Sequence, residues 1–141
     1  MPLDNLFAIA GSALNAQSTR MNTTASNLAN ASTVAGAEKD AFRAKRVTFK
    51  TIIEQQIGKD EKGNQGGVQV SGISDDPKAI NRIASPGNPL ADKDGYIYLS
   101  NVNEMTEMVE MMAASRSYQN NVEVVNTARQ LMLRTLDIIK S

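Results

Sequence analysis

The sequence predicts a mainly α protein in which long N- and C-terminal helices pair as an antiparallel-type coiled coil, with a small central β-rich and irregular unit. Three observations carry this expectation. Residues 101–140 run without a Gly or Pro, and both ends of the chain place large apolar residues seven positions apart. Between them, Gly, Pro and β-branched residues concentrate. The chain therefore divides into an N-terminal helix over 1–36, a central extended unit with loops over 37–100, and a C-terminal helix over 101–141.

In the first segment, Asp4 to Ala35, the heptad positions are Phe7, Leu14, Met21 and Leu28, with Ala10, Gly11, Ser18 and Ala25 between them. Large residues alternating with small ones let a partner helix approach closely. The polar side is almost all Ser, Thr, Asn, Gln and Ala, and Arg20 is the only charge between Asn5 and Ala37. Solvated helix faces usually carry charge, so this face points to burial among polar neighbours, with Asn15, Gln17, Asn22, Asn27 and Asn30 available to cross-link packed helices. An ordinary amphipathic helix on a local core is the blander reading. Ser, Thr and Asn are poor helix formers, which makes the isolated segment marginally helical. The triplets beginning at Asn22 and Asn30 match the glycosylation sequon, a pattern too short to carry weight.

The middle opens on Glu38 to Ile57, where FRAKRVTF reads as extended and TIIEQQI as a short helix. The basic residues Arg43, Lys45, Arg46 and Lys50 read first as a solvated face, and second as a patch for an acidic partner. GKDEKGNQGG at 58–67 is a loop by composition; GVQVSGI follows as a strand with Val68 and Val70 on one face, then AINRIAS as a second short strand. Asp94-Gly95 ahead of YIYL signals a turn into a strand. Asp92 and Asp94 match part of a calcium loop, but the pattern fails at Leu90 and Asn101, so a turn is expected and no metal site.

The last segment repeats Met111, Tyr118, Val125, Met132 and Ile139 every seven residues, and Ala114, Ser115, Asn121, Val122, Ala128 and Leu136 fill the seam. At ~1.5 Å per residue this helix is about 57 Å long, more than the remaining chain can wrap. Asn101 with Glu104 fits a capping box, while Glu104, Glu107 and Glu110 complement the positive end of the macrodipole. The methionines from Met105 to Met132 suit contact with irregular neighbours, or serve as plain core filler.

Composition narrows the function. In 141 residues, 41% are hydrophobic and 21% charged, ordinary values for one soluble domain, but three Phe, three Tyr and no Trp leave little for a thick core. Fifteen basic and fifteen acidic residues cancel, so nothing draws in nucleic acid or an anionic membrane. The absence of Cys and His removes disulfides, thiolate metal sites and the commonest general base. An enzyme is not expected, and no cofactor. The start lacks a basic n-region and an uninterrupted apolar stretch, so no cleaved signal peptide is expected, and no run is long enough for membrane insertion.

Four stretches then carry a resemblance over more than half of the chain: SALNAQSTRMNTTASNLANAST, FRAKRVTF, PGNPLADKDGYIYLSNVN and EMTEMVEMMAASRSYQNNVEVVNTARQLM. They resemble the bacterial flagellar axial proteins, and most closely basal-body rod proteins of the proximal-rod type. The element at Ala29, Asn30 and Thr33 is shared across rod and hook proteins. Narrowing comes from Ala91, Asp92, Asp94, Gly95 and Tyr96, with Asn101, Val102, Arg116, Tyr118 and Asn121 behind them. Asn88 and Ser100 depart from the pattern, where His and Pro are expected.

The resemblance implies a structural subunit of the rod, polymerising through its terminal helices into a tubular drive shaft that transmits torque and forms part of the export channel. It implies termini unfolded in the monomer, passage through the flagellar type III export apparatus, and a place in the periplasmic rod. The implied partners are copies of itself, other rod proteins, the MS-ring/rod junction protein and the export apparatus. Another type III secreted axial, needle-like or effector protein is the alternative. Inter-subunit helix packing is expected at Phe7, Leu14, Met21, Leu28, Asn30, Met111, Tyr118, Val122, Val125, Met132, Leu136 and Ile139.

Overall fold

A computed structural model describes residues 2–52 and 66–140, with the side chains of 5–52 and 66–138. Helix α1 spans Pro2–Ala29 and helix α2 spans Glu104–Lys140. Between them come β1 (Val34–Ala35), a 3-10 turn at Glu38–Asp40, β2 (Lys45–Thr51), β3 (Val68–Asp75), β4 (Arg82–Ala84) and β5 (Tyr96–Leu99). No helix among the described residues is long and apolar enough to cross a membrane.

The two helices make the most extensive contact in the molecule, and they run antiparallel. Asn27 meets Glu107, Arg20 meets Glu110, and Leu6 lies beside Val124, Ala128 and Leu131. On α2 the stripe toward α1 holds buried Ala114 and Ala128, with Met111, Tyr118, Asn121, Val122, Val125 and Met132 half-buried. On α1, Phe7, Leu14, Met21 and Leu28 are half-buried and Ala10 is buried, as a heptad stripe requires. Gly11 and Ala25, expected between them, are exposed.

A second face of α1 carries the hairpin of β2 and β3. These strands pair antiparallel from Lys45↔Asp75 to Thr51↔Val68, with an irregularity between Thr48 and Phe49. At one end the Val68 amide donates to Ser12 Oγ at 3.1 Å, and at the other Asn27 grips the Lys45 backbone. Ala16, one turn from Ser12, is buried along this second face. FRAKRVTF is extended as expected, and Val68 and Val70 are half-buried with Gln69 exposed between them. The helix expected for TIIEQQI lies outside the described residues, apart from Thr51 at the end of β2 and Ile52 after it; most of the loop expected at 58–67 lies outside them too.

The second sheet has the order β1, β5, β4, all antiparallel. Ile97 is its buried residue. Gly95, at φ +80°, makes the turn into β5 with no Cβ to clash. Asp92 organises that turn: its Oδ1 accepts from the amides of Asp94 at 3.0 Å and Tyr96 at 2.8 Å, and its Oδ2 from the Tyr98 hydroxyl at 3.1 Å. The amide of Tyr96, above all, holds the Asp92 carboxyl below its ordinary value. In turn, the bond to Asp92 raises Tyr98. A carboxylate occupied by protein donors in this way makes a turn rather than a calcium loop.

One expectation is overturned at the start of α2. Asn103, not Asn101, caps the helix, its Oδ1 accepting from the Thr106 amide at 3.0 Å. Asn101 is instead a brace: its Oδ1 accepts from the Ala44 amide at 2.7 Å, and its Nδ2 donates to the carbonyls of Asp76 and Lys78. Glu104 therefore does not close a capping box on Asn101; its carboxylate accepts from Ser32 Oγ. A helix needs its first free amides satisfied by a residue just outside it, and Asn103 is the one in place.

Ala114 has no exposed surface between the helices. Ala114→Leu is expected to lower stability by about 1–3 kcal/mol through overpacking. Ala113→Leu, on the exposed side, leaves the unfolding free energy from urea titration within about 0.5 kcal/mol of the parent.

Candidate assembly site

A polar clasp fixes how the two helices sit on the central unit. Glu107 on α2 is only 1% exposed, and its carboxylate accepts from Arg46 Nη1 at 2.7 Å and Asn27 Nδ2 at 2.9 Å. Asn27 in α1 also brackets Lys45, accepting from its amide at 2.8 Å and donating to its carbonyl at 2.9 Å. Arg46 in β2 reaches on to Asp76, Nε to Oδ2 at 3.1 Å. Asp76 is buried; its amide donates to the Ala44 carbonyl at 2.7 Å and its Oδ1 accepts from the Lys78 amide at 3.0 Å. Helix α1, helix α2, the hairpin and the segment after it thus meet at one set of charges.

The electrostatics follow from those bonds. The Lys78 amide, with Arg46 beside it, holds the Asp76 carboxyl below its ordinary value. Desolvation opposes the charge of Arg46, but its two carboxylate partners outweigh that and raise its pKa. Next to the clasp a 260 Å³ cavity opens between Thr23, Thr24, Val47 and Phe49, rimmed by the Arg20–Glu110 pair. Its charged groups are already paired with one another, so it offers no unmet charge to a ligand. Among the described residues no cluster of three or more acidic side chains is placed to hold a metal ion.

The sequence placed these residues with mixed success. Asn27 was expected as a cross-link between helices and is one, within the chain. The basic run, read first as a solvated face, is partly tied down: Arg46 pairs with Glu107 and Asp76, Arg43 donates to the Lys78 carbonyl and Lys45 pairs with Asp75, while Lys50 is exposed. Glu107 was assigned to the helix dipole, yet its main partner is Arg46. Asn30 closes α1, its Nδ2 donating to the Ser26 carbonyl and its own carbonyl accepting from Thr33 Oγ1. The two departures also have local uses. Asn88 Oδ1 accepts from the Leu90 amide; the Ser100 amide, which Pro would lack, donates to the Thr33 carbonyl.

The other side of α2 is apolar and open. Met105 is 71% exposed and Val109 60%, and Met108 and Met112 continue the patch. Further along, Val124, Leu131, Leu133 and Leu136 are exposed as well. Leu136 was expected in the helix seam and is 47% exposed, because α1 has ended by that level. The side chain of Ile139 lies outside the described residues. Such a run of exposed large residues on one helix marks an interaction surface.

Two paired terminal helices with an uncovered apolar side define a subunit of an assembly, and comparison with known proteins says which. Residues 7–37 match the family profile described as flagella basal body rod protein, and residues 93–138 match that of the flagellar basal body rod FlgEFG protein C-terminal. Over 98% of both chains, the protein is 50% identical to the flagellar basal-body rod protein FlgC of Yersinia enterocolitica and 46% identical to that of Salmonella typhimurium. The FlgC of Buchnera aphidicola subsp. Baizongia pistaciae is 34% identical over the same share. The chain belongs to the FlgC family of flagellar basal-body rod proteins. It is a structural protein of the flagellar basal body, serving motility, from a family that is not one of enzymes.

Arg46→Met leaves the Glu107 carboxylate buried with Asn27 alone, and is expected to cost about 3 kcal/mol in urea unfolding. Arg46→Met with Glu107→Met removes both charges and recovers most of that loss. Because the Asp76 carboxyl is depressed in the fold, its contribution is fully present above the unfolded value of about 3.9 and is lost as pH falls through the lower folded value. Asp76→Asn therefore flattens the acid limb of the stability curve below about pH 4, and the gap from the parent narrows there.

Proposed function

We propose that the chain is an axial subunit of the periplasmic rod, polymerising through its terminal helices into the tube that transmits torque and encloses part of the export channel. Residues 1–36 and 101–141 are its axial segments, and 37–100 the unit that they carry. The observation that carries this reading is the apolar side of α2, too large to leave in water and with no covering element of its own chain among the described residues. Within the subunit, the heptad stripes of α1 and α2 pair as an antiparallel coiled coil. Phe7, Leu14, Met21 and Leu28 set the register against Met111, Tyr118, Val122, Val125 and Met132, while Asn30, Leu136 and Ile139 lie toward neighbours.

Torque on such a tube is shared among many packed side chains, because dense packing transmits strain. Copies of the chain, other rod proteins and the MS-ring/rod junction protein are the proposed neighbours. The subunit leaves the cytoplasm through the flagellar type III export apparatus without a cleaved signal peptide. Nearly uncharged, Ser/Thr/Asn-rich α1 is a weak helix by itself, which suits a chain that threads a channel before it packs.

The test pairs spectroscopy with proteolysis. The purified monomer should show helical circular dichroism below that of the full fold and cleavage in the outer parts of segments 1–36 and 101–141, away from the clasp at Asn27 and Glu107, whereas the same segments in isolated basal bodies should resist protease. A monomer already fully helical and resistant would sink the coupling of folding to assembly. Met105→Asp with Val109→Asp alters only exposed positions, so the central unit should stay folded while incorporation into basal bodies and swimming are lost. Normal swimming would exclude this face of α2 from assembly.

A further inference from the structure

We infer that the thioethers of Met105, Met108 and Met112 form an oxidation site, at which a two-electron oxidant of the hydrogen peroxide or hypochlorous acid class makes sulfoxides that bar the chain from assembly. The inference rests on the axial-subunit reading, which makes the open face of α2 the part that assembly must bury, and it names a regulation of that face.

Composition points to methionine first. The chain has seven Met and no Cys, Trp or His, so thioethers are its softest oxidisable side chains and no thiol competes with them. Position then separates one methionine from another. Met105 is 71% exposed, Met108 54% and Met112 58%, and spacings of three and four residues put the three on one side of α2. Met21, Met111 and Met132 are half-buried in the stripes between the helices. Met111 and Met112 are chain neighbours, yet one turns toward α1 and the other toward water. Further along α2 the exposed large residues are Val124, Leu131, Leu133, Leu136 and Ile138, with no methionine among them. The oxidisable part of the face is therefore confined to the turns beside the clasp, where Arg46 and Asn27 hold Glu107 in place.

The chemistry needs only the sulfur and the oxidant. A thioether sulfur attacks one peroxide oxygen: the S–O bond forms, the O–O bond breaks, and the departing hydroxide takes the proton of the transferred hydroxyl to leave as water. Sulfur loses two electrons and the peroxide gains them. With hypochlorous acid the O–Cl bond breaks instead, and chloride and a proton leave. The product turns a flexible apolar side chain into a polar one. On the exposed face the sulfoxide stays hydrated, so the subunit keeps its fold. Against an apolar neighbour it must shed that water, at a cost repeated at three positions. The chain has no thiol to reverse the change, so return to the thioether takes a reductase whose dithiol becomes a disulfide as the oxygen leaves in water.

Two measurements test the inference. In the purified full chain treated with hydrogen peroxide, peptide mass mapping should show Met105, Met108 and Met112 gaining oxygen about tenfold faster than Met21 and Met111. Equal rates, or Met111 ahead of Met112, would overturn the site. Expression of the chain is then induced under hydrogen peroxide in cells that lack it, and the chain is mapped in isolated basal bodies and in the unassembled pool. Sulfoxide at the three positions should be about tenfold rarer in basal bodies than in the pool. Equal frequency in the two would overturn the bar to assembly. In chains carrying Met105→Leu, Met108→Leu and Met112→Leu together, the ratio of treated to untreated incorporation should hold while the parent's falls; a fall matching the parent's would overturn the inference. A parent chain missing from basal bodies without any oxidant would remove the axial reading, and the mass map of the purified chain would still report on the site.

Discussion

The fold depends on one buried charge. Glu107 sits almost without solvent on a helix whose other buried residues facing α1 are alanines, and Arg46 and Asn27 reach its carboxylate from two other elements. A buried ion pair adds little net stability compared with an apolar pair of the same shape, because desolvation offsets most of the attraction. What it supplies is geometry. A hydrophobic contact tolerates sliding by a turn, whereas a guanidinium held by two carboxylates and a carboxamide locked on both polar groups of Lys45 tolerate none. The clasp thus fixes which residue of α1 stands opposite which residue of α2, and where the hairpin lies across both.

That constraint matters because little else in the molecule could impose it. Among the described residues the buried apolar ones are mostly alanines, with Ile97 the one large side chain. Alanine lets helices approach closely but gives poor register, since one small residue packs much like another. A thin core with a polar clasp is therefore specified by hydrogen bonds and ion pairs more than by shape. The apolar stock that would fill a self-contained core is on the outer side of α2.

Much of this was legible in the sequence, for reasons that separate by range. The helices were visible because a seven-residue repeat is local, and so was the turn into β5, because Asp94-Gly95 ahead of YIYL has few conformations open to it. Periodicity also marked the stripe from Met111 to Met132, whose large residues are half-buried. The clasp was not legible. Arg46 lies 61 residues from Glu107 and 30 from Asp76, and no spacing rule links side chains that meet only after the hairpin docks on α1. Read locally, Glu107 belongs to a first-turn acidic cluster and Arg46 to a basic run, and both descriptions are true of the sequence and silent about the partner. Asn101 misled for a similar reason. It stands three residues before Glu104, as a cap would, but Asn103 offers the same chemistry two residues closer, and only the positions of Ala44 and Asp76 show what Asn101 is for.

Resistance to shear follows from the same division of labour. Within the subunit, sliding α1 against α2 would strand the buried Glu107 carboxylate away from its partners, a cost far steeper than rearranging alanine contacts. In the proposed assembly, the apolar side of α2 would offer neighbouring subunits methionines and leucines, whose contacts can yield and re-form without any buried charge being exposed. A shaft made of such units would keep each unit rigid and place its compliance at the joints. Near the start of α2, Glu107 and Glu110 turn toward the hairpin and α1 while Met105, Met108 and Met112 lie open on the other side, so a single helix carries a fixed face and an open one.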